Sequence, residues 1–105
     1  MINFVQGNLQ RSRAADSLLE QLVIETKAQC VIASEPYRNR TTTSWFHDRL
    51  GVAAIWIADG REIRVLDNGS GDGFVWVRLD NVTVYSLYLS PNYPAREYRE
   101  KLEAM

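Results

Sequence analysis

A run of almost wholly apolar residues, Cys30-Val31-Ile32-Ala33-Ser34, stops on Glu35-Pro36, and no other stretch restricts the fold of this chain as much. A strand that is apolar at nearly every position needs cover on both faces, which places it inside an α/β sheet rather than at a wet surface. The residues before it agree. Ile2 to Gln6 alternates apolar and polar residues and then meets Gly7-Asn8, a strand followed by a turn. Ser12 is placed to cap a helix in which Ala14, Leu18, Leu19, Leu22 and Val23 recur at helical spacing as one apolar stripe, with Asp16, Glu20 and Glu25 on the wet side. Strand, helix and strand in this order form a βαβ unit, so the two strands are expected to run parallel.

Pro36 is followed by a polar loop, Arg38 to Ser44, and then by Trp45-Phe46 and the single histidine, His47. Further strands are expected over 53–58, 63–66, 73–79 and 82–89. Asp59-Gly60 and Asp80-Asn81 suit tight hairpins, and Asp67 to Gly73 reads as a glycine-rich loop with Asp72 as a turn residue. Ser90 to Pro94 reads as irregular and Ala95 to Met105 as a second helix with no stop signal behind it. Two helices and six short strands scarcely cover an α/β sheet on both faces. The 105 residues are therefore expected to be the N-terminal part of one larger domain, its C-terminal half missing.

Composition excludes little. With 46% hydrophobic residues and a net charge of −1, whole-chain electrostatics favour neither nucleic acid nor a membrane, and local charge has to decide. The longest apolar run, Val52 to Ala58, is too short to span a bilayer. The N-terminus has neither the basic nor the apolar region of a secretory signal, so an intracellular protein, not a secreted one, is expected. The lone Cys30 permits no intramolecular disulfide and fits a buried free thiol. Asn-x-Ser/Thr triplets at Asn39, Asn68 and Asn81 read as loop and turn residues.

Ligands of sheets with parallel strands sit outside the carboxyl ends of those strands. Asn8 lies just past the first strand and Glu35 just past the second, so the crossover puts both at one edge. A carboxylate and an amide oxygen are hard ligands of the kind Mg²⁺ or Mn²⁺ prefers. The same spacing also suits a turn asparagine and a loop-capping glutamate. Arg11 and Arg13 follow Asn8, Arg38 and Arg40 follow Glu35, and no acidic residue interrupts 9–15 or 36–47. These arginines read either as a local field for a phosphodiester or as ordinary surface residues. At the end of the last strand, the Tyr88 hydroxyl could bond a phosphate oxygen and Asn92 could donate to another; a packed aromatic is the other reading of Tyr88. His47 has no acidic partner at readable spacing and is read as non-catalytic. Trp45, Trp56 and Trp76 are read as core or sheet-face residues.

Gly7-Asn8-Leu9-Gln10-Arg11-Ser12-Arg13-Ala14-Ala15, then Ser34-Glu35-Pro36-Tyr37, then Tyr88-Leu89-Ser90-Pro91-Asn92 resemble, in order, motifs of the endonuclease/exonuclease/phosphatase superfamily. They most resemble the apurinic-endonuclease-like nuclease domain of non-LTR retrotransposons. The resemblance implies an α/β fold, here a partial two-sheet α/β sandwich. It also implies a divalent-metal-dependent DNA endonuclease using Mg²⁺ or Mn²⁺. It assigns Asn8 and Glu35 to the metal and Tyr88 and Asn92 to the phosphate at the reaction centre, and beside them the four arginines are expected to bind the substrate. One extra residue separates Tyr88 from Pro91-Asn92 relative to the family pattern. A nuclear location and a reverse transcriptase in the same polyprotein are further implications. The sequence contains no Asp-x-Asn triplet and no Ser-Asp-His triplet. The family holds and activates its water with these motifs, so the chain alone is expected to be inactive. A superfamily phosphatase acting on a small or lipid phosphate and a non-catalytic α/β binding module are the alternative readings.

Overall fold

In a computed structural model, which describes residues 2–37, 44–59 and 63–88, the described residues form two facing sheets with one helix on the outside. Strand β1 (Phe4–Asn8), helix α1 (Arg13–Thr26) and strand β2 (Cys30–Ser34) are the expected βαβ unit, with β1 and β2 parallel and Asn8 opposite Ser34. Strands β3 (Trp45–His47) and β4 (Ala53–Ile57) complete a sheet of order β1-β2-β4-β3. Strands β5 (Asp67–Gly71), β6 (Phe74–Arg78) and β7 (Thr83–Leu87) form an antiparallel second sheet in chain order. The expected α/β class and two-sheet sandwich are what the chain adopts.

Strand periodicity sorts the core into two layers. Cys30, Ala53, Ile55 and Ile57 on the inner face of the first sheet meet Val75, Val77, Leu79 and Val84 of the second. Val31, Ala33 and Ala54, on the opposite face of the same strands, meet Leu9 and Leu19. The run from Cys30 is thus apolar throughout because α1 takes one side and the second sheet the other.

Helix α1 begins at Ser12, whose Oγ accepts the Ala15 N–H at 3.1 Å, and ends at Lys27 in the left-handed region. Its stripe is only half used. Ala15, Leu19 and Val23 pack on the sheet. Ala14, Leu18 (64%) and Leu22, expected in the core, are exposed, as is Ile24 (75%). Asp16, expected in water, is buried in the first turn.

Several strand expectations need correcting. β1 starts and ends two residues later than alternation suggests, so Asn8 is its last residue rather than the turn behind it. Trp45 to His47 is a strand, paired with β4 and held against it by stacking of Trp45 on Trp56 at 5.2 Å; Trp45 also stacks on His47 of its own strand at 5.8 Å. Residues 63–66 are not a strand; Ile63 is a core plug whose N–H donates to the Asp59 carbonyl at 3.2 Å. The glycine-rich stretch from Asp67 is strand β5. Its glycines have a steric purpose: a Cβ on Gly69 would lie 2.6 Å from Trp76 Nε1, and one on Gly71 2.5 Å from Phe74 Cε1. Those rings lie over the strand opposite, so only glycine fits beneath them. The hairpin at Asp80-Asn81 is present, with Leu79 N–H on the Val82 carbonyl. Gly60 and residues 89–105, with the irregular segment and second helix expected there, lie outside the described residues.

Specific polar ties join the sheets. The buried Asp48 carboxylate accepts N–H groups of Leu50 (3.1 Å) and Val52 (2.8 Å) before β4, of Ala53 (3.0 Å) at its start, and of Gly73 (2.8 Å) in the β5–β6 turn. The buried Ser86 Oγ of β7 donates to the Ala33 carbonyl of β2 at 2.9 Å. Burial pushes the Cys30 thiol up to about 11.

Asp48→Ala is expected to lower unfolding free energy by about 3–5 kcal/mol in urea melts, and Asp48→Asn by about half as much, because buried N–H groups lose their acceptor. Folding raises the Cys30 pKa, so the neutral thiol's contribution is complete below pH 9.0 and is lost as pH rises toward about 11. Melts across that window are expected to show this loss in the native chain, and Cys30→Ala is expected to lack it.

Candidate functional site

Asn8, Glu35 and Tyr88 reach one end of the sandwich for separate local reasons. Asn8 closes β1, and its Oδ1 accepts the Gln10 N–H at 2.8 Å, turning the chain toward α1. Gln10 and Arg11 sit at φ 51° and 52°, in left-handed backbone. Glu35 follows β2 directly and is itself left-handed, at φ 49°, with Pro36 fully buried behind it. A non-glycine residue pays about 1–2 kcal/mol for that conformation, so the surroundings have to enforce it. They do: the Glu35 N–H donates to the Val52 carbonyl at 2.8 Å, and its carbonyl accepts the Arg11 N–H at 2.7 Å. Strained backbone of this kind gathers at functional sites.

Tyr88 follows β7, packs against the inter-sheet core, and donates its N–H to the Gly73 carbonyl at 2.9 Å. Gly73 and Val52 are both held by the Asp48 carboxylate. One aspartate therefore connects the backbone next to Glu35 with the backbone next to Tyr88. Sequence reasoning passed over Asp48. An aspartate shortly before Leu50-Gly51 and an apolar strand is a readable turn signal, but its bond to Gly73 crosses 25 residues and is not readable. Ser86 was missed as well, although alternation with Val84 puts it on the buried face of β7.

Between β1, β2 and β7 a cleft of about 520 Å³ is lined by Gln6, Asn8, Ile32, Ser34, Tyr85 and Leu87, among others. Asn8 is in its wall. Glu35 and Tyr88 are the next residues along the chain after Ser34 and Leu87, at its end. Arg11 and Arg13 are exposed on the β1–α1 side, Arg11 joined to Glu35 through the main chain. The structure thus gathers Asn8, Glu35, Tyr88, Arg11 and Arg13 about one end. Asn92, Arg38 and Arg40 lie outside the described residues. Among the described residues, no group of three or more His, Cys, Asp or Glu could hold a metal ion, and no helix is long and apolar enough to cross a membrane. Glu35 and Asn8 can contribute one carboxylate and one amide oxygen, the donor set of a hard cation whose remaining ligands are water and phosphate.

Glu35→Gly is expected to raise unfolding free energy by about 0.5–1 kcal/mol, since glycine tolerates the left-handed backbone at some entropic cost. Asn8→Ala is expected to lower it by about 0.5–1 kcal/mol through loss of the turn bond. Thermal melts of both variants check the pair of signs.

No protein-family model and no curated protein matches the sequence. Among solved structures, the endonuclease domain of TRAS1, a telomere-specific non-LTR retrotransposon, is similar, with a TM-score of 0.82 and 24% sequence identity. The match covers 98% of this chain and 52% of that one, so this chain spans about half the length of the TRAS1 domain. The chain has a retrotransposon-endonuclease-like fold.

Proposed function

We propose that this chain carries part of the active cleft of a divalent-metal-dependent DNA endonuclease of retrotransposon type. The observation that carries the proposal is the meeting of Asn8 and a strained Glu35 at adjacent carboxyl ends of a parallel pair, in a fold shared with the TRAS1 endonuclease domain. Glu35 would hold Mg²⁺ or Mn²⁺ through its carboxylate, with Asn8 as a second oxygen donor, one lone pair being already engaged by Gln10. Bound there, the cation would supply charge stabilisation at a phosphodiester. Tyr88 would contact a phosphate oxygen, with Asn92 near it in sequence, and Arg11, Arg13, Arg38 and Arg40 would bring positive charge to the DNA backbone. The native setting proposed is a nuclear retrotransposon polyprotein with a reverse transcriptase.

Competence is a separate matter. The sequence has no Asp-x-Asn and no Ser-Asp-His triplet, the motifs to which the family resemblance assigns handling of the water. Lack of a general base alone costs about 10²–10⁴ in rate, and residues 1–105 alone are proposed to be inactive.

Calorimetry is expected to show Mg²⁺ or Mn²⁺ binding that Glu35→Ala abolishes. The 105-residue chain is expected to leave supercoiled plasmid un-nicked with either metal. No metal binding by a folded sample would sink the metal site and favour a non-catalytic module. Robust nicking lost in Glu35→Ala would instead overturn the proposed inactivity, and turnover of small phosphate esters without nicking would favour a phosphatase.

A further inference from the structure

The turn between β3 and β4 lies at the same end of the sandwich as Asn8 and Glu35, because Ala53, where β4 begins, pairs with Ser34, and Ser34 with Asn8. The proposed site makes no use of the side chains at its tip. Its backbone is held from several directions. The Asp48 N–H donates to the Ala53 carbonyl at 3.1 Å and the Arg49 N–H to the Gly71 carbonyl at 3.1 Å. The Asp48 carboxylate takes the N–H groups of Leu50, Val52 and Ala53. Gly51 is buried and left-handed at φ 75°, a conformation that glycine adopts without steric cost.

The tip of this turn stands in solvent. Arg49 is exposed and Leu50 is 56% exposed. A lone exposed leucine is ordinary on a protein surface. Here it stands next to an arginine, on a backbone already fixed, at the end where the strained Glu35 is presented. A side chain on a rigid support loses little further freedom when it binds, so more of its contact energy appears as affinity. The pairing also separates two kinds of partner. A protein interface needs a contiguous apolar patch, and Leu50 is bordered by Arg49 and faces the exposed Asp72 of the neighbouring turn. Duplex DNA needs less: leucine is one of the side chains that enter between base steps, and arginine suits the adjoining phosphate.

We propose that Leu50 is a wedge that enters a base step of duplex DNA lying across the Asn8–Glu35 end, with Arg49 on the neighbouring phosphate. Asp72 disfavours a second phosphate in that corner, so Arg49 is assigned to one. The wedge makes Leu50 a specificity-determining residue. Pyrimidine–purine steps unstack easily and A-tracts are stiff, so the turn selects the former without reading base edges. The inference rests on the proposed DNA substrate and adds to it a residue that chooses the site.

The test uses the 105-residue chain at low salt in Mg²⁺, with two short duplexes as probes. One carries 2-aminopurine at a central TA step and the other carries it within an A-tract. Binding is followed by the anisotropy of an end label, and unstacking by the 2-aminopurine emission. The native chain is expected to favour the TA duplex by about threefold or more and to raise emission there alone. Leu50→Ala is expected to abolish the rise and to weaken TA binding to the A-tract level, with its thermal melt unchanged, and Leu50→Met to restore both. Arg49→Ala is expected to weaken binding to both duplexes and to lower the salt slope by about 1. Binding of both duplexes with no rise in the native chain, a rise that survives Leu50→Ala, or affinity that falls in Arg11→Ala and Arg13→Ala but not in Arg49→Ala overturns the wedge and leaves the DNA substrate standing. No binding of either duplex by a folded chain overturns both. Self-association of the chain that Leu50→Ala removes assigns Leu50 to a protein contact and overturns the wedge.

Discussion

The Asp48 carboxylate is the interaction on which the arrangement of this molecule turns. Apolar contact between the sheets is strong but has no direction; it sets how far apart they lie, not which residue faces which. Direction comes from polar ties, and Asp48 supplies a group of four, with N–H groups of Leu50 and Val52 before β4, of Ala53 at its start, and of Gly73 in the turn before β6. Arg49 N–H on the Gly71 carbonyl at 3.1 Å reinforces that junction, and Ser86 on Ala33 fixes β7 across β2. A buried carboxylate is tolerable only when its oxygens are satisfied, and here the satisfaction and the alignment of the sheets are the same set of bonds.

The candidate site inherits its geometry from that junction. Val52 receives Glu35 through its carbonyl while its own N–H is held by Asp48, and Gly73 receives Tyr88 in the same way. The left-handed backbone at Glu35, Gln10 and Arg11 is maintained between these fixed points by the bond from Arg11 to the Glu35 carbonyl. Strain at one end of a cleft, enforced by the scaffold beneath it, is the arrangement expected where a side chain must be presented in one direction.

Errors in reading the sequence fall where a residue's role depends on something distant in the chain. Asp67 to Gly71 has the composition of a loop, and it is a strand because Trp76 and Phe74 need flat backbone to lie upon. Ile63 looks like the start of a strand and is a single plug in the inter-sheet core. Leu18 and Leu22 continue the helical stripe but stay exposed, while Ala15, Leu19 and Val23 are the residues packed on the sheet. In each case local propensity was legible and the partner was not.

What the sequence by itself determined is the βαβ unit with its parallel pair, the two-sided burial of β2, the hairpin at Asp80-Asn81, and the presence of Asn8 and Glu35 at neighbouring strand ends. These follow from periodicity, capping and the handedness of the crossover, all of which act over short stretches of chain. Only the tertiary structure decided that β4 lies between β2 and β3, that β7 of the second sheet is tied to β2, and that Asp48 joins the surroundings of Glu35 to those of Tyr88. Those features depend on bonds between residues far apart in sequence, such as Asp48 to Gly73 and Ser86 to Ala33, and no local pattern encodes which distant donor a buried acceptor will meet.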